Sequence, residues 1–388
     1  LHLLPCPYVL QLHLQGLKLQ LGPAGHLLGV LHHCTRLTVL HLQSCTVQDS
    51  HAACAAIAAL PELQQLAMSE THDEQHMLLL DGLQLAPQLT HLHLDCGPSQ
   101  TQPIEELGLL SALTNLQHLE LANLPHAGVP GGVPSQLVKL TCLHMGYNRS
   151  AHYSVAQHFG NLGSLTALQQ LHIATYQGDG LSQGLSGIQY LSALTSLDVT
   201  APGMKLFTTH TSRWARLTAL QSLALRRCIL DPQALAAFTQ LHYLYLEDAY
   251  SMNAYMGEFL DVLSELRLLT ELRVHFVDHC YIDANCPADL YTAFTASTNL
   301  RSLDLDLRKS PAMWELFPAD TEYLHLRQIK LISRGRSNRP TESLVMSVGK
   351  QQLQQMCSCC PTLDSLAFLM RLDADPAALC PLLQLTAL

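Results

Sequence analysis

Leu217-Thr-Ala-Leu-Gln-Ser-Leu223-Ala-Leu225-Arg-Arg-Cys228 decides how the rest of the chain is read. From Leu220 it runs Leu-x-x-Leu-x-Leu-x-x-Cys, and alternation puts Leu223 and Leu225 on one face and Ser222, Ala224 and Arg226 on the other. That period of two is the mark of a short strand with one buried face. Leu12, Leu40, Leu66, Leu92, Leu119, Leu143, Leu171, Leu197, Leu244, Leu272, Leu303, Leu324 and Leu366 hold the place of Leu223, at intervals mostly of 21 to 31 residues with one of 42. Recurrence at such a period describes stacked units, each too small to bury its apolar face alone.

On these residues the chain resembles the leucine-rich repeat family, and the resemblance covers essentially its whole length. It implies an α/β solenoid, a curved horseshoe with a parallel inner sheet and helical or irregular outer segments. Residues 1–388 are expected to form a single solenoid of about 14 repeats. Repeats of this family serve chiefly as binding platforms, so the resemblance implies a non-catalytic protein-interaction scaffold with a protein partner, and no enzyme. The wording Leu-Thr-Ala-Leu-Gln-Gln-Leu171 and Leu-Ser-Ala-Leu-Thr-Ser-Leu197 is similar to that of green-algal repeat proteins, some of them ciliary. Two alternatives stand beside the scaffold: the substrate-recognition module of a ubiquitin-ligase adaptor, and a structural component of a cilium or axoneme.

Composition narrows the classes. Of 388 residues 48% are hydrophobic, ample for a core, and only 13% are charged, about half the usual share. The formal charge of −10 argues against general nucleic-acid binding, which needs a basic face. The 13 cysteines are odd in number and follow no framework spacing. They read as buried reduced thiols, and the expectation is an intracellular, cytoplasmic or cytoskeletal protein. No apolar run reaches the length of a membrane span.

The pattern begins at once, at Val9-Leu-Gln-Leu12-His-Leu14, and Leu385-Thr-Ala-Leu388 stops within a further repeat. Both ends are therefore expected to be truncated, with uncapped edges prone to end-to-end self-association. Connecting segments read largely as helix: Ser50 to Leu60, Asp231-Pro232 onward, Tyr255 to Leu269, and about Glu342 to Cys357. Pro125 to Pro134 is too rich in proline and glycine for a regular helix. An irregular insertion is expected at about 327–350, carrying Arg327, Lys330, Arg334, Arg336, Arg339 and Lys350, with a solvated loop as its plain reading. Five positions past the Leu223 site stand Cys45, Thr71, Asn148 and Cys228. In the family this place holds Asn or Cys, whose side chain satisfies backbone groups as the chain leaves the strand.

Reactive motifs are few. Gly180-Leu-Ser182-Gln-Gly184 matches a hydrolase elbow by letter but lies in a loop without the strand before it. Cys357-Ser-Cys359-Cys360 holds one Cys-x-x-Cys with no second pair, so buried thiols are expected rather than zinc. Asn148-Arg-Ser150 is a glycosylation sequon whose Asn is also a ladder residue. No catalytic residue, cofactor or metal site is assigned.

The open face is more informative. Between the two strand leucines stand His13, His41, Ala67, His93, Glu120, His144, His172, Asp198, Ala224, Tyr245, Arg273, Asp304, His325 and Ala367. The histidine column has two readings, a solvated polar face or a pH-sensitive or metal-binding surface, and the first is preferred because paired ring nitrogens alone rarely make a strong site. Farther on come Arg226, Tyr243, Tyr245, Glu247, Arg273, His275, Tyr323, His325 and Arg327. Tyr and Arg most often carry interface energy, and these are the expected protein-binding residues of the concave face.

Overall fold

The structure is a computed structural model that describes residues 8–19, 31, 33–47, 50–73, 83–97, 107–124, 132–147, 159–176, 181, 185–203, 205–206, 214, 216–230, 232–248, 256–276, 288–307, 316–317, 321–332, 347–348, 350–369 and 371–372. Alternation yields strands where it was expected. They are β1 (Gln11–Gln15), β2 (Val39–Gln43), β3 (Gln65–Ser69), β4 (His91–Asp95), β5 (His118–Leu124), β6 (Cys142–Tyr147) and β7 (Gln170–Ala174), then β8 (Ser196–Thr200), β9 (Ser222–Arg226), β10 (Tyr243–Glu247), β11 (Glu271–Phe276), β12 (Ser302–Leu307), β13 (Gln328–Ile332) and β14 (Ser365–Leu369). All 14 belong to one sheet, ordered as they are in the chain. The contacts divide the chain into two compact units: Leu1–Leu194 with Thr200–Met204, and Thr195–Val199 with Lys205–Leu388.

In the first unit Leu40 stands opposite Leu66, Leu66 opposite Leu92, Leu92 opposite Leu119 and Leu119 opposite Leu143, in parallel register. The second unit repeats the arrangement through Leu223, Leu244, Leu272 and Leu303. The second strand residue inward and the leucine three before the strand site, such as Leu225 and Leu220, are buried as well. Each repeat thus adds three or four apolar side chains to a core that continues from its neighbour, worth about 1.5–3 kcal/mol apiece.

The turn leaving six of the strands has a left-handed residue at the same place: Gly16, Ser44, Glu70, Asn123, Arg227 and Asp248, all at positive φ. The bend aims its N–H at the next strand: Ser44 N–H donates to Ser69 O, Glu70 N–H to Asp95 O and Asp248 N–H to His275 O, each at 2.8 Å. The following residue is the ladder position. Thr71 Oγ1 lies 3.1 Å from Leu42 O and 3.2 Å from Ser69 O, and the Cys45 and Cys228 thiols donate to the corresponding carbonyls. A second ladder, unforeseen in the sequence, enters the strands. Thr38, Thr90, Thr141 and Thr270 each donate a hydroxyl to the repeat before, at 3.0–3.1 Å.

The outer segments differ from expectation. Three α-helices are described, α1 (Ser50–Ala58), α2 (Met256–Glu265) and α3 (Lys350–Cys359), where the helical patterns at Ser50, Tyr255 and Glu342 pointed. Several other returns carry a 3₁₀ turn among the described residues, including Pro232–Ala237, where Asp231-Pro232 suggested an α-helix. With few residues left after strand and turns, the tighter helix covers the return in fewer residues, since it rises about 2.0 Å per residue against 1.5 Å. In the first unit the outer turns Leu162–Ser164 and Leu185–Tyr190 touch through Gly163 and Gly187, where an added Cβ on Gly187 would come 2.8 Å from the Gly163 backbone nitrogen. No helix among the described residues is long and apolar enough to cross a membrane.

One repeat is placed differently from its sequence reading. Ile329, not Leu324, stands opposite Leu303 and Leu366. The true frame is Tyr323-x-x-Leu326-x-x-Ile329-x-Leu331, which matches Leu217, Leu220, Leu223 and Leu225. Tyr323-Leu-His-Leu326 imitates a strand over four residues only. Leu324 is accordingly 55% exposed, whereas Tyr323 is 7% exposed and fills the core place of Leu217. β13 also occupies the start of the segment expected to be an insertion at 327–350. Arg334, Arg336 and Arg339 lie outside the described residues.

Candidate functional site

The open face of β8 to β13 in the second unit is built by the positions that alternate with the leucines. Register sets Ser222, Tyr243, Glu271 and Ser302 in one row; Ala224, Tyr245, Arg273, Asp304 and Lys330 in the next; and Arg226, Glu247, His275 and Asp306 in a third. Large side chains stand over small ones, and Ala224 is buried although it faces outward from the core.

The patch is wired. Arg226 donates to Asp198, lies 3.5 Å from Glu247 Oε2 through Nε, and sets its guanidinium 4.8 Å from the centre of the Tyr245 ring. The Tyr245 hydroxyl donates to Glu247 at 2.7 Å. Burial, then the bond to Glu247, push its pKa to about 12, so it remains a donor. Arg273 Nε donates to Glu271 at 2.7 Å and its guanidinium sits 5.9 Å from the Tyr243 ring. Asp304 is the hub at the far side, with His275 Nε2 at 3.1 Å and Lys330 Nζ at 2.8 Å. Burial raises its carboxyl, but the adjacent His275 ring and the hydrogen bond from Lys330 outweigh it and hold the group below the usual range.

Six of the nine expected residues therefore come together: Arg226, Tyr243, Tyr245, Glu247, Arg273 and His275. Tyr323 does not join them. Its ring packs edge-on to Phe317 and its hydroxyl shares a 2.9 Å hydrogen bond with Thr295. His325 and Arg327 lie before β13 rather than in it, and Arg327 pairs with Asp364 at 3.0 Å. The frame error in that repeat moved all three. Asp198, Glu271 and Lys330 are members that sequence reasoning missed. Lys330 was hidden by the same error, although the Tyr-x-x-Leu-x-x-Ile-x-Leu frame would have placed it.

The first unit presents a different face. His13 and His41 meet edge to face at 4.2 Å between ring centres, and His144 meets His172 likewise at 4.0 Å. Glu120 lies between His93 and His144, its two oxygens 2.9 and 3.2 Å from their Nδ1 atoms. A second histidine row, one position before the strand leucine, stacks His91 on His118 at 4.2 Å. Burial and then His118 lower the pKa of His91; burial, then His13 and His93, lower that of His41.

Comparison with solved structures follows this geometry. An internalin of Listeria monocytogenes matches with a TM-score of 0.51 and 17% identity, over 98% of this chain and 85% of that one. A leucine-rich-repeat protein of Leptospira interrogans matches with a TM-score of 0.56 and 18% identity, over 95% and 82%. TLR13, in its complex with ssRNA13, matches with a TM-score of 0.54 and 17% identity, over 92% of this chain and 54% of that one. The chain has the leucine-rich-repeat fold. No protein-family model and no curated protein matches it.

Within this leucine-rich-repeat chain the remaining motifs are quickly placed. Cys357, Cys359 and Cys360 are buried at the end of α3, burial pushes the Cys360 thiol to about 12, and none of the described cysteines is in a disulfide. Among the described residues no group of three or more His, Cys, Asp or Glu is arranged to hold a metal ion. Ser182 and Asn148 lie outside the described residues.

Proposed function

We propose that this leucine-rich-repeat chain is a non-catalytic scaffold that binds a protein partner through the open face of its strands, with Arg226, Tyr243, Tyr245 and Arg273 as the principal contacts. The observation that carries this reading is the wired patch on β9 to β11. Its tyrosines and arginines lie outside the leucine core, yet Asp198, Glu247 and Glu271 hold them in place. Side chains ordered before binding lose less entropy on it, and Tyr and Arg are the usual anchors. Arg273 is the most available of the charged pair, 44% exposed against 28% for Arg226.

The test is site-specific photocrosslinking. A benzophenone amino acid at position 245 should trap a partner in a cell extract, and the same group at the exposed Val138 should not. With that partner purified, Tyr245→Ala and Arg273→Ala should each weaken binding by about 1–3 kcal/mol. Unchanged affinity in the double variant would move the contact elsewhere.

A further inference from the structure

The seven strands that the first unit gives to the 14-stranded sheet contain no lysine and no arginine. Their open face carries His13, His41, His91, His93, His118, His144 and His172, and its only acids are Asp95 and Glu120. Among the residues of these strands, positive charge on this face therefore comes from histidine alone, and histidine changes charge between pH 5 and 8. In the second unit the same rows hold Arg226, Arg273 and Lys330, which are charged throughout that range.

The two acids are occupied. Glu120 is shared by His93 and His144, and Asp95 Oδ1 accepts from Gly97 N–H at 2.9 Å and Asn123 Nδ2 at 2.7 Å. The pair His13–His41 has no carboxylate beside it, the neighbouring face residues being Gln11, Gln15, Val39, Gln43, Gln65, Ala67 and Ser69; beside His91–His118 stand Gln65, Cys142, His93 and Glu120, the last already shared by His93 and His144. Two imidazolium rings 4.2 Å apart repel, and an anion set beside them removes the repulsion. The pairs lie three strand spacings apart, about 14 Å, the reach of about four extended residues.

We propose that the histidine face of the first unit is a docking surface for an acidic, extended peptide segment, engaged on protonation and released near neutral pH. Carboxylates of the segment sit against His13–His41 and His91–His118, while Glu120 keeps His93 and His144. A peptide fits better than a nucleic acid: the strand residues of this face include no exposed Tyr, Phe or Trp for bases to stack on, and the chain carries a formal charge of −10. This surface is separate from the Tyr/Arg patch and stands without it.

The test uses a fluorescein-labelled (Glu-Ser)8 peptide and fluorescence anisotropy on the full chain. Glutamate is ionised at both pH 5.5 and pH 7.5, so a pH effect reports the protein. Binding should be at least about tenfold tighter at pH 5.5 and weaken with added salt, as screened charge pairs do. It should persist in Tyr245→Ala/Arg273→Ala, in EDTA, and be lost in His13→Gln/His41→Gln/His91→Gln/His118→Gln. In the unaltered chain, the imidazole proton NMR signals of those histidines should titrate at higher pH with peptide present, a readout that does not depend on the variant folding. Equal binding at the two pH values, no binding at pH 5.5, survival in the four-histidine variant, loss in EDTA, or tighter binding of an oligo-uridylate of equal charge would each overturn the proposal.

Discussion

The two units share one skeleton and wear different faces. In both, leucines fall into register across parallel strands and are buried to the same degree, as Leu119 and Leu223 show. Between those leucines the first unit places histidine, with Ala67 and Glu120 as exceptions, and the second places tyrosine, arginine, lysine and aspartate, with Ala224 and Ala367 as exceptions. The strand alternation separates the two tasks: one set of positions makes the core, and the other is free to vary because changing it leaves the core alone. The faces also differ in wiring. Arg226, Glu247, Tyr245, Asp304 and Lys330 form cross-strand networks with fixed charges, whereas the histidines meet one another and share Glu120.

The largest expected effect is one the two units have in common. Leu119→Ala and Leu223→Ala should each cost about 2–5 kcal/mol in chemical denaturation, by lost burial and the cavity left behind. Gln221→Ala, on an exposed side chain, should cost less than about 0.5 kcal/mol. Similar losses from Gln221→Ala and Leu223→Ala would contradict the burial pattern of β9.

Next comes a contact that belongs to the first unit alone. Gly187→Ala sets a methyl against the Gly163 backbone, which cannot yield as a side chain would. A loss of about 1–3 kcal/mol is expected, with amide exchange rising first in the Leu162–Ser164 turn.

The pH response should separate the units. The folded pKa values of His41 and His91 lie below the usual value, so the unfolded chain binds protons first as pH falls through about 6.5. Stability in the first unit should therefore decrease between pH 7.5 and 5.5. Asp304 has the opposite sign: its folded pKa is depressed, so its contribution is present above about pH 4 and is lost only below it. Hydrogen exchange should show β2 and β4 losing protection at pH 5.5 while β12 keeps it. Simultaneous loss in all three would erase the distinction.

The smallest effect on folding is expected at the Tyr/Arg patch. Arg273→Ala removes a half-exposed group and should shift the melting temperature by no more than about 2 °C, whatever it does to binding. A large shift would mean that the patch is structural.

The core was legible because its signal is redundant: a leucine missed in one repeat is supplied by the next. The candidate site was legible only where that redundancy held. Tyr243, Tyr245 and Arg273 sit between two plain leucine repeats and were placed by alternation alone. Tyr323, His325 and Arg327 sit where the repeat replaces leucine with Tyr323 and Ile329, and a four-residue imitation of a strand won over the longer frame. The same slip hid Lys330, and with it the role of Asp304. Asp198 was assigned to the histidine column because the sequence cannot say which neighbour a long side chain will reach; Arg226 reaches it from β9.

By itself the sequence determined the repeat, the parallel strands, the direction each strand residue faces and the ladder through Cys45, Thr71 and Cys228. All of these follow from local period and from backbone groups that must be satisfied. The tertiary structure alone decided the 3₁₀ turns on the return, the threonine ladder, the approach of Gly163 to Gly187, and the partners of Arg226, Glu120 and Asp304. Those depend on distances between repeats about 26 residues apart in the chain, and local pattern carries no information about side-chain reach across such a gap.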